Sequence, residues 1–514
     1  MDIKSFFKRN KKQAKRQENI PAVLSKKLPH NLSNLRRLLE DPEDLVVREF
    51  TIYGTSRQCA IAYMDGLTNE KLVQDNVIKN IQLLANKGSL PDETNALMEM
   101  IHREMMSVTG IEKVSTWDDV SNSLLYGHAI FYLDGFSTAL AIDAQLWEIR
   151  SIEEPDSETV IRGPRDSFIE DLHTNLARLR RYIRDPNLRY KTYQIGRRSK
   201  KNLVVAYVDG IVHPDLFKEI NRRLESIDMD DAPESGFVEQ WIEDSFLSLF
   251  PQVINTERPD KASAALMEGK VVLILDGTPF VLIAPATLGN ALQSPEDYYE
   301  RWTIGSLIRV LRYIAAFIAV FLPALYVALV SFHQGMIPSK LAFSIAATRE
   351  GVPFPAFIEA LLMVSTMEML REAGARLPTT IGQTIGIVGG IVIGEAAVQA
   401  GIVSPIMVVV VALNAIASFS IPSYSFSIAL RILVYIMMFA AALFGIYGII
   451  LCYIMINIHV VNLTSIGVAY SSPFAPMFFQ DFNDLILRVP IPLINRRPKY
   501  MQTEDEKSAD QGGA

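Results

Sequence analysis

Apolar and polar positions divide the chain into two unlike halves. Up to about residue 306, short apolar runs are separated by stretches rich in Asp, Glu, Lys and Arg, whereas residues 307–479 are mostly Ile, Val, Ala, Leu, Phe and Met. Apolar runs of about 20 residues are long enough to cross the hydrocarbon core of a bilayer as helices. The pattern therefore predicts a soluble amino-terminal region followed by an all-α polytopic membrane domain.

The soluble half contains two pairs of similar passages. Residues 61–72, IAYMDGLTNEKL, resemble residues 205–216, VAYVDGIVHPDL, and each predicts a strand, an Asp-Gly turn and a helix. Residues 124–144 resemble residues 266–286, and each predicts two strands joined by an Asp-Gly turn, a strong hairpin signal. We predict that all four Asp-Gly pairs form turns rather than catalytic or metal-binding carboxylates, because glycine accepts the positive φ that such turns need.

The two matches have nearly the same spacing. Asp65 and Asp209 are 144 residues apart, and Asp134 and Asp276 are 142 residues apart. Two independent matches at one spacing favour two duplicated α/β subdomains. The predicted domains are a basic tail 1–39, an α/β subdomain 40–150, a linker and helix 151–184, a second α/β subdomain 185–300, a transmembrane domain of four to five segments 301–480 and a cytoplasmic tail 481–514.

The apolar half predicts four spans and one unusual segment. The spans are a run after Arg309 and Arg312 that ends near Val330, and the stretches 384–403, 405–421 and about 428–458. The unusual segment begins with Pro353 and Pro355, which must break any helix arriving from upstream. It carries Glu359 and Glu368, so it is too polar for a lipid-facing span, and we predict a re-entrant or protein-buried helix. Basic residues near both chain ends favour a cytoplasmic location for both.

Four glycines recur at every fourth position, namely Gly382, Gly386, Gly390 and Gly394. On a helix they form one stripe without side chains. In a bilayer such a stripe lets a second helix approach backbone to backbone. We therefore predict that helices or subunits meet along this stripe.

Polar groups inside the apolar half are candidate ion-path or gate residues, because such groups are costly in lipid. Glu395 is the only charge between Thr384 and Val403, and Asn414 and Ser418 share one helix face at a spacing of four. Their alternative role is structural hydrogen bonding between neighbouring helices.

Composition excludes several classes of protein. The formal net charge is −7 and no domain is strongly basic, which argues against nucleic-acid binding. The two cysteines, Cys59 and Cys452, lie one in each half, and the seven histidines are scattered. Neither a nucleophile–base pair nor a metal or cofactor site stands out. We therefore predict that the chain is not an enzyme and needs no cofactor.

Two basic stretches leave alternatives open. The amino-terminal tail either contacts anionic lipid or is a solvated tail. Residues 153–185 crowd six arginines into a linker and a probable helix. This stretch is either a docking surface for a partner or anionic lipid, or a solvated face paired with nearby carboxylates.

The Pro-Phe-Pro entry at 353–355, the REAGARLP segment at 371–378 and the glycine helix resemble the signature region of the GerA family of spore germination proteins. The likeness extends over about residues 40–490. Within this family, the sequence most resembles the A subunit of a germinant receptor. A sporulation paralogue, stage V sporulation protein AF, shares the same architecture.

The resemblance implies a multi-pass subunit in the inner membrane of the spore, with a cytoplasmic amino-terminal domain. It implies a transporter-like B subunit and a lipoprotein C subunit as partners, and homo-oligomers that open to monovalent cations when nutrient is sensed. A non-conducting scaffold that clusters receptors is the alternative. A secondary transporter is a third possibility, but it predicts inverted repeats in the membrane half, where we find none.

Overall fold

The structure is a computed structural model that describes residues 21–40, 42–53, 57–85, 94–102, 110–145, 155, 157–376 and 394–508. Its strands are β1 Leu45–Thr51, β2 Gln58–Met64, β3 Ile111–Val114, β4 Ala129–Leu133, β5 Ala139–Ile142, β6 Leu188–Ile195, β7 Lys201–Val208, β8 Ile254–Thr256, β9 Val271–Leu275, β10 Val281–Ala284, β11 Thr464–Ser465 and β12 Val468–Ala469.

Its helices are α1 Leu28–Leu39, α2 Glu70–Leu72, α3 Lys79–Ala85, α4 Thr94–Met100, α5 Trp117–Leu125, α6 Leu172–Tyr182, α7 Pro214–Glu225, α8 Ser235–Ile242, α9 Pro259–Met267, α10 Leu288–Leu292, α11 Glu296–Tyr299, α12 Trp302–Ser331, α13 Ser339–Arg349, α14 Ala356–Arg376, α15 Pro405–Phe419 and α16 Tyr424–Asn462. A π-helical segment, Val73–Ile78, joins α2 to α3.

Two antiparallel five-stranded sheets form the amino-terminal half. The first has the order β1-β2-β4-β5-β3 and the second the order β6-β7-β9-β10-β8, which is the same order five strands later. Each sheet buries apolar side chains on both faces, against helices on either side. We call the first sheet with its helices (described residues 21–145) lobe 1, and the second (185–300) lobe 2. The α/β character predicted for this half is confirmed, and the domain boundaries stay predictions.

The duplication is also visible in the contacts of single residues. Asn31 at α1 accepts a hydrogen bond from Ser25 N at 2.8 Å and donates one to Ser25 O at 2.7 Å. Asn175 at α6 makes the same pair of bonds with Ile169, six residues before it. Both asparagines are buried, and they lie 144 residues apart (175 − 31). The same side-chain device therefore fixes the helix start in both copies.

The four Asp-Gly pairs are turns, as predicted. Their glycines have positive φ: Gly66 (74°), Gly135 (90°), Gly210 (82°) and Gly277 (91°). An L side chain rarely adopts this region, whereas glycine does so without steric cost.

Helix α6 lies between the two lobes. Its Ala177 joins the core of lobe 1, and its Leu172 and Leu179 join the core of lobe 2. Arg180 is 2 % exposed and forms an ion pair with Asp44 of lobe 1 at 2.8 Å. Its Nη1 also donates to the carbonyls of Asp185 and Leu188 at 3.2 and 3.1 Å. Arg180 therefore ties the linker helix to both lobes. Neither predicted role of this arginine-rich stretch, docking surface or solvated face, describes Arg180.

The carboxy-terminal half is a helical bundle joined to lobe 2. Two of its helices, Trp302–Ser331 and Tyr424–Asn462, are long and apolar enough to cross a membrane, and Pro405–Phe419 is apolar but shorter. Helix α12 begins beside lobe 2, where Arg309 contacts Asp297. We call the end of the bundle beside lobe 2 the near end and the opposite end the far end.

Helix α16 reverses direction at Gly445, which has φ 60° and ψ −140°. A side chain at Gly448 would overlap the carbonyl oxygen of Ala440, eight residues earlier. The rings of Phe426 and His459 both lie 6.1 Å from the ring of Phe250 in lobe 2, although 33 residues separate them. A straight helix would hold them about 50 Å apart. Helix α16 is therefore a helical hairpin whose two limbs, 424–444 and 446–462, run antiparallel.

The prediction of one long span at 428–458 is therefore wrong. An apolar reversal carries no polar or proline turn signal, and only Gly445 and Gly448 mark it in the sequence. Glycine is needed at both places, because Gly445 has a positive φ and Gly448 touches backbone.

Contacts fix the direction of the other helices. Gly445 lies against Phe332 and His333, so α12 ends at the far end. Helix α14 begins at the far end, where Phe357 packs edge-on against Phe439. It proceeds to the near end, where Arg371 reaches Ser418 at the end of α15.

The tail after α16 folds back onto lobe 2. Ser465 Oγ donates to the carbonyl of Gln252 at 2.5 Å and accepts from Ala286 N at 3.0 Å. Met501 enters the apolar core of lobe 2. Both the first and the last residues of the bundle are therefore held by the same lobe.

Candidate functional site in the helical bundle

Four polar side chains meet at the near end of the bundle, and we call them the near-end cluster: Glu368, Arg371, Ser418 and Arg431. Glu368 accepts hydrogen bonds from Arg371 Nη1 and Arg431 Nη1, each at 3.0 Å. Arg371 Nη2 donates to Ser418 Oγ, also at 3.0 Å. The cluster therefore links α14, α15 and the first limb of α16 through side chains alone.

The near-end cluster holds two cations against one carboxylate. The side chains of Arg371 and Arg431 are 17 % and 15 % exposed, so solvent screens them only weakly. Their guanidinium groups lie over aromatic rings, Arg371 at 4.5 Å from Phe419 and Arg431 at 5.9 Å from Tyr424. The Nε atoms of both arginines are buried without a hydrogen-bond partner among the described residues. One positive charge of the cluster is therefore not balanced by a carboxylate within it.

Asn414 lies one helical turn before Ser418 on α15. It is 9 % exposed, and its Oδ1 has no hydrogen-bond partner in the part of the chain that the structure describes. An unpaired amide oxygen in an apolar bundle is costly. Asn414 and Ser418 thus face the bundle interior, and their role as ion-path or gate residues stays a prediction.

A second polar group lies at the far end. Glu359 is fully buried and pairs with Arg349 Nη2 at 2.9 Å. Its Oε2 accepts from Ser404 N at 3.1 Å and from Ser404 Oγ at 2.9 Å. Tyr326 OH lies within 3.4 Å of the same hydroxyl. Unlike the near-end cluster, this group is balanced, with one cation for one anion.

Pro353 and Pro355 separate the helices that supply this far-end group. Helix α13 ends at Arg349 and α14 begins at Ala356, directly after Pro355. Helix α14 is continuous over 21 residues and buries Glu359 on its inner face. A re-entrant path for this segment stays a prediction.

Glu395 does not join either group. It lies exposed on the outside of the single chain and accepts a hydrogen bond from Gln399 Nε2 at 3.0 Å. Gly394 is buried, and a Cβ placed there would lie 3.7 Å from Val408 on α15. Gly382, Gly386 and Gly390 lie outside the described residues. The glycine stripe as a packing surface stays a prediction.

A buried ion network joins the near end of the bundle to lobe 2 and to the tail, and we call it the junction. Asp297, 1 % exposed, accepts from Arg309 Nε at 2.9 Å and from Arg312 Nη1 at 2.7 and 2.8 Å. Arg309 Nη1 also pairs with Asp484 of the tail at 2.7 Å. Arg488 donates to the carbonyl of Asp297 at 2.9 Å. Helix α12 is thus fixed to lobe 2 and the tail at one point.

Burial changes the pKa of one carboxyl group at the junction. It raises the pKa of Asp484, although Arg309 opposes the rise. Tyr298 OH donates to Asp484 Oδ2 at 2.7 Å. Asp484 is therefore a partly desolvated carboxylate, and Arg309 favours its charged form.

Sequence reasoning identified Glu368 and the pair Asn414 and Ser418 as polar groups of the apolar half. It did not find the pairing of Arg431 with Glu368. It also missed Ser404, whose partner Glu359 is 45 residues away, and Asp297, whose partners Arg309 and Arg312 lie on the following helix. One signal was available: an arginine inside an apolar run must have a partner, and Glu368 is one of few carboxylates in this half.

No group of three metal-ligating side chains occurs among the described residues. The polar chemistry of the bundle therefore rests on arginine, carboxylate, hydroxyl and amide groups. Such groups can hold helices in one arrangement and release them in another, or line a path for ions.

Comparison with known proteins gives a family match over most of the chain. Residues 33–500 match the Bacillus/Clostridium GerA spore germination protein family. Spore germination protein GerLA of Bacillus cereus is 47 % identical over 474 residues, which cover 92 % of this chain and 95 % of that protein. Spore germination proteins B1 and A1 of Bacillus subtilis (strain 168) are 43 % and 41 % identical, over 93 % of this chain and 98 % and 97 % of theirs.

A solved structure of a related domain is similar to part of the chain. It is the crystal structure of the N-terminal domain of the A subunit of the Bacillus megaterium spore germinant receptor GerK3. It is 32 % identical to this chain, covers 52 % of it and 99 % of that domain, and gives a TM-score of 0.42.

Proposed function

Because the chain belongs to the GerA family of spore germination proteins, we propose that it is the A subunit of a nutrient germinant receptor and triggers spore germination. The observation that carries this proposal is the match over residues 33–500, which includes both lobes and the helical bundle. In this proposal it lies in the inner membrane of the spore, beside a transporter-like B subunit and a lipoprotein C subunit, and its membership of the family supports this location.

The bundle is the membrane domain in this proposal. Its outer surface carries large apolar side chains exposed in the single chain, for example Phe317 (60 %), Phe439 (60 %) and Met455 (70 %). Lipid is the environment that such a surface fits. Because lobe 2 holds both ends of the bundle, the helices cross an even number of times, and both lobes and the tail lie on the cytoplasmic side.

We further propose that several copies form an oligomer that conducts monovalent cations. Glu395 supports this role, since it is exposed on the bundle surface and no cationic side chain pairs with it among the described residues. In an oligomer it would face a neighbouring copy or a water-filled path. The glycine stripe beside it would form the contact, and Asn414 with Ser418 would contribute polar lining.

The near-end cluster is the proposed gate contact. Glu368 joins α14 to the first limb of α16, Arg371 joins α14 to α15 through Ser418, and the charges of the cluster are unbalanced. Such a contact can favour one helix arrangement in the resting state and another when the partner binds nutrient. The charge-balanced group around Glu359 would hold the far end in both states.

Germination of spores tests the receptor role and the gate together. Spores without the chain should lose the response to the cognate nutrient and recover it with the wild-type chain. Glu368→Gln should change the rate of nutrient-induced cation release at least several-fold, because Arg371 and Arg431 lose their shared anion. Subunit level in the spore membrane must be measured in parallel.

A matched control lies on the same helix. Glu372 pairs with Arg376 at 2.5 Å, but their side chains are 64 % and 78 % exposed. Glu372→Gln removes an equal charge and should leave the release rate within about two-fold of wild type. If Glu368→Gln and Glu372→Gln behave alike at equal subunit level, the near-end cluster is not a gate contact.

Ion flux separates the channel from a non-conducting scaffold. The purified chain is reconstituted in liposomes, with and without the partner subunits, and the flux of potassium and sodium is recorded. Flux that Glu395→Gln alters supports the channel. Absence of flux in every combination, with germination still dependent on the chain, supports the scaffold that clusters receptors.

A further inference from the structure

Lobe 2 carries an apolar loop beside the near end of the bundle. The loop comprises residues 245–250, with the sequence Ser-Phe-Leu-Ser-Leu-Phe, and none of them is charged. Phe246 and Leu247 are each 82 % exposed, which is unusual for large apolar side chains on a soluble lobe. We call this segment the apolar loop.

Contacts place the apolar loop against the second hairpin limb. Ser248 Oγ and His459 Nε2 lie 2.9 Å apart, and the Phe250 ring packs against Phe426 and His459. Asp244, directly before the loop, accepts a hydrogen bond from Thr464 Oγ1 at 2.8 Å. The loop is thus held to the end of α16.

The loop also continues the apolar surface of the helical hairpin. Leu247, Leu249 and Phe250 line one groove of about 830 Å³ together with residues of both α16 limbs, among them Leu433, Leu451 and Met455. No aqueous polar surface interrupts the groove between the loop and the helices, since its lining is almost entirely apolar. A molecule that covers the helices would therefore also reach the loop.

The height of the loop along the bundle corresponds to the edge of a bilayer. Phe426 is 19 residues from the reversal at Gly445 (445 − 426), which is roughly 28 Å of helix. The hydrocarbon core of a bilayer is about 30 Å thick. If the reversal lies at the far edge of this core, Phe250 and the apolar loop lie at its near edge, where lipid headgroups begin.

We propose that the apolar loop inserts the side chains of Phe246 and Leu247 into the boundary between headgroups and acyl chains, and so anchors lobe 2 to the lipid surface. Uncharged segments with Phe and Leu gain free energy by burial at this depth, and aromatic side chains are common there. Lipid fits better than a second protein because the groove that the loop extends runs along the helices that the bilayer surrounds. The inference rests on the proposed membrane location of the bundle.

Site-specific fluorescence tests the loop in the full-length chain reconstituted in liposomes. The chain has two cysteines: Cys452 is replaced by Ala, and Cys59 is retained because burial raises the pKa of its thiol to about 12. A polarity-sensitive fluorophore is attached at Leu247→Cys. Quenching is measured with lipids spin-labelled near the headgroup and with aqueous iodide.

Two control positions bracket the loop. Met455→Cys lies on the exposed face of the second limb and reports whether the bundle is in lipid. Arg198→Cys lies in the β6–β7 turn, with its side chain 85 % exposed. This turn is at the other end of lobe 2, beside the start of α8, because Lys201 Nζ donates to the carbonyls of Ala232 and Pro233.

The expected result at Leu247 is quenching by spin-labelled lipid about two-fold or more above that at Arg198, with protection from iodide. Iodide quenching equal to that at Arg198 would place the loop in water and overturn the inference. Protection from both quenchers would mean that protein covers the loop, and would also overturn it. If the label at Met455 is not quenched by lipid either, the proposed membrane location itself fails.

Discussion

The two lobes have one strand order but different attachments. Three features recur in both copies at a spacing of 142–144 residues. They are a buried asparagine that fixes the start of a helix, an Asp-Gly turn after the second strand, and an Asp-Gly hairpin. Lobe 2 contacts the bundle through the junction, the apolar loop and the tail. Lobe 1 contacts the rest of the described chain mainly through α6 and the start of lobe 2.

Apart from Ala177 of α6, the contacts of lobe 1 with its neighbour are mainly polar. Besides the pair of Arg180 with Asp44, Arg189 donates to the carbonyl of Leu39, and Thr192 Oγ1 donates to Glu43. Lobe 2 is held to the bundle by a buried network of five charged residues and by apolar packing. Duplication has thus produced one copy fixed to the helical bundle and one copy joined to α6 and lobe 2 by these mainly polar contacts, which we call the polar hinge.

The largest expected effect is at the junction of lobe 2. Among the described residues, Asp297→Asn removes the only carboxylate that Arg312 contacts and one of two that Arg309 contacts, and all three residues are buried. Leaving buried guanidinium groups unpaired should lower the free energy of unfolding by about 3–5 kcal/mol. The measurement is the thermal unfolding midpoint in detergent, together with the amount of chain in membranes.

Asp230→Asn is the control for that variant. Asp230 also pairs with an arginine of lobe 2, Arg198, but at 3.6 Å with both side chains more than 60 % exposed. Its loss should change stability by less than about 0.5 kcal/mol. Equal stabilities of the two variants would show that the junction does not hold lobe 2 to the bundle.

A smaller effect is expected at the polar hinge of lobe 1. Arg180→Met leaves Asp44 without a cation and two carbonyls without a donor, but the Asp44 side chain is 12 % exposed and can take up water. We expect a loss of about 2–3 kcal/mol. Hydrogen exchange should become faster around Leu39 and Asp44 and stay unchanged at the junction.

Arg181→Met provides the comparison, since Arg181 follows Arg180 on the same helix but is exposed. It should leave the exchange pattern of both lobes close to wild type. Faster exchange at the junction in Arg180→Met would mean that the lobes move as one unit, against the distinction between a fixed and a hinged copy.

Much of this comparison could be predicted from sequence. The repeats IAYMDGLTNEKL and VAYVDGIVHPDL have local signals, because strand alternation and Asp-Gly turns are properties of neighbouring residues. In the structure these repeats form β2 and β7, each followed by its Asp-Gly turn, as the local signals predict. The polar side chains of α14 and α15 were also identifiable, since Glu359 and Asn414 stand out in apolar surroundings.

Long-range contacts could not be predicted in the same way. Arg431 and Glu368 are 63 residues apart, and Asp297 and Asp484 are brought together only because the tail returns to lobe 2. The reversal at Gly445 lacks a polar signal, because in an apolar environment a turn need not be hydrophilic. Each of these features depends on tertiary packing that no local pattern encodes.

Replacing an Asp-Gly turn glycine by alanine should lower the free energy of unfolding by about 1 kcal/mol more in lobe 1 than in lobe 2. Gly277→Ala in lobe 2 should cost about 1 kcal/mol through its positive φ alone, since the nearest atom to the added Cβ is Lys201 Nζ at 3.8 Å. Gly66→Ala in lobe 1 should cost roughly twice as much. Its Cβ would lie 3.1 Å from Ala177 Cβ and 3.3 Å from His173 O, so it pushes α6 away. The denaturant midpoints of both variants test this. Equal midpoints would mean that α6 moves away from the added Cβ without loss of stability.

The smallest expected effect concerns α8 of lobe 2 and its counterpart α4 of lobe 1. Aligned on their buried positions, Leu97 and Met98 correspond to Val238 and Glu239. Lobe 2 therefore has a carboxylate where lobe 1 has a buried methionine. Burial, with the neighbouring carboxylates of Glu243 and Glu234, raises the pKa of Glu239 to about 7.

The direction in which pH changes the stability follows from the raised pKa of Glu239. Between an unfolded pKa of about 4.3 and the folded value, the folded chain binds a proton that the unfolded chain does not. Stability contributed by this group is present at low pH and is lost as pH rises through about 7. The wild-type unfolding midpoint should thus be lower at pH 8 than at pH 6, by the equivalent of about 1 kcal/mol.

Glu239→Met converts this position to the residue of lobe 1 and should remove most of that difference while raising stability at pH 8. A small slope remains in the variant, because burial also raises the pKa of Glu243. Glu219→Gln is the control: hydrogen bonds from Arg222 lower the pKa of Glu219 to about 2, so its titration lies far below pH 6. If the wild type and Glu239→Met lose stability equally from pH 6 to pH 8, the carboxylate on α8 is solvated, and the cores of the two lobes do not differ at this position.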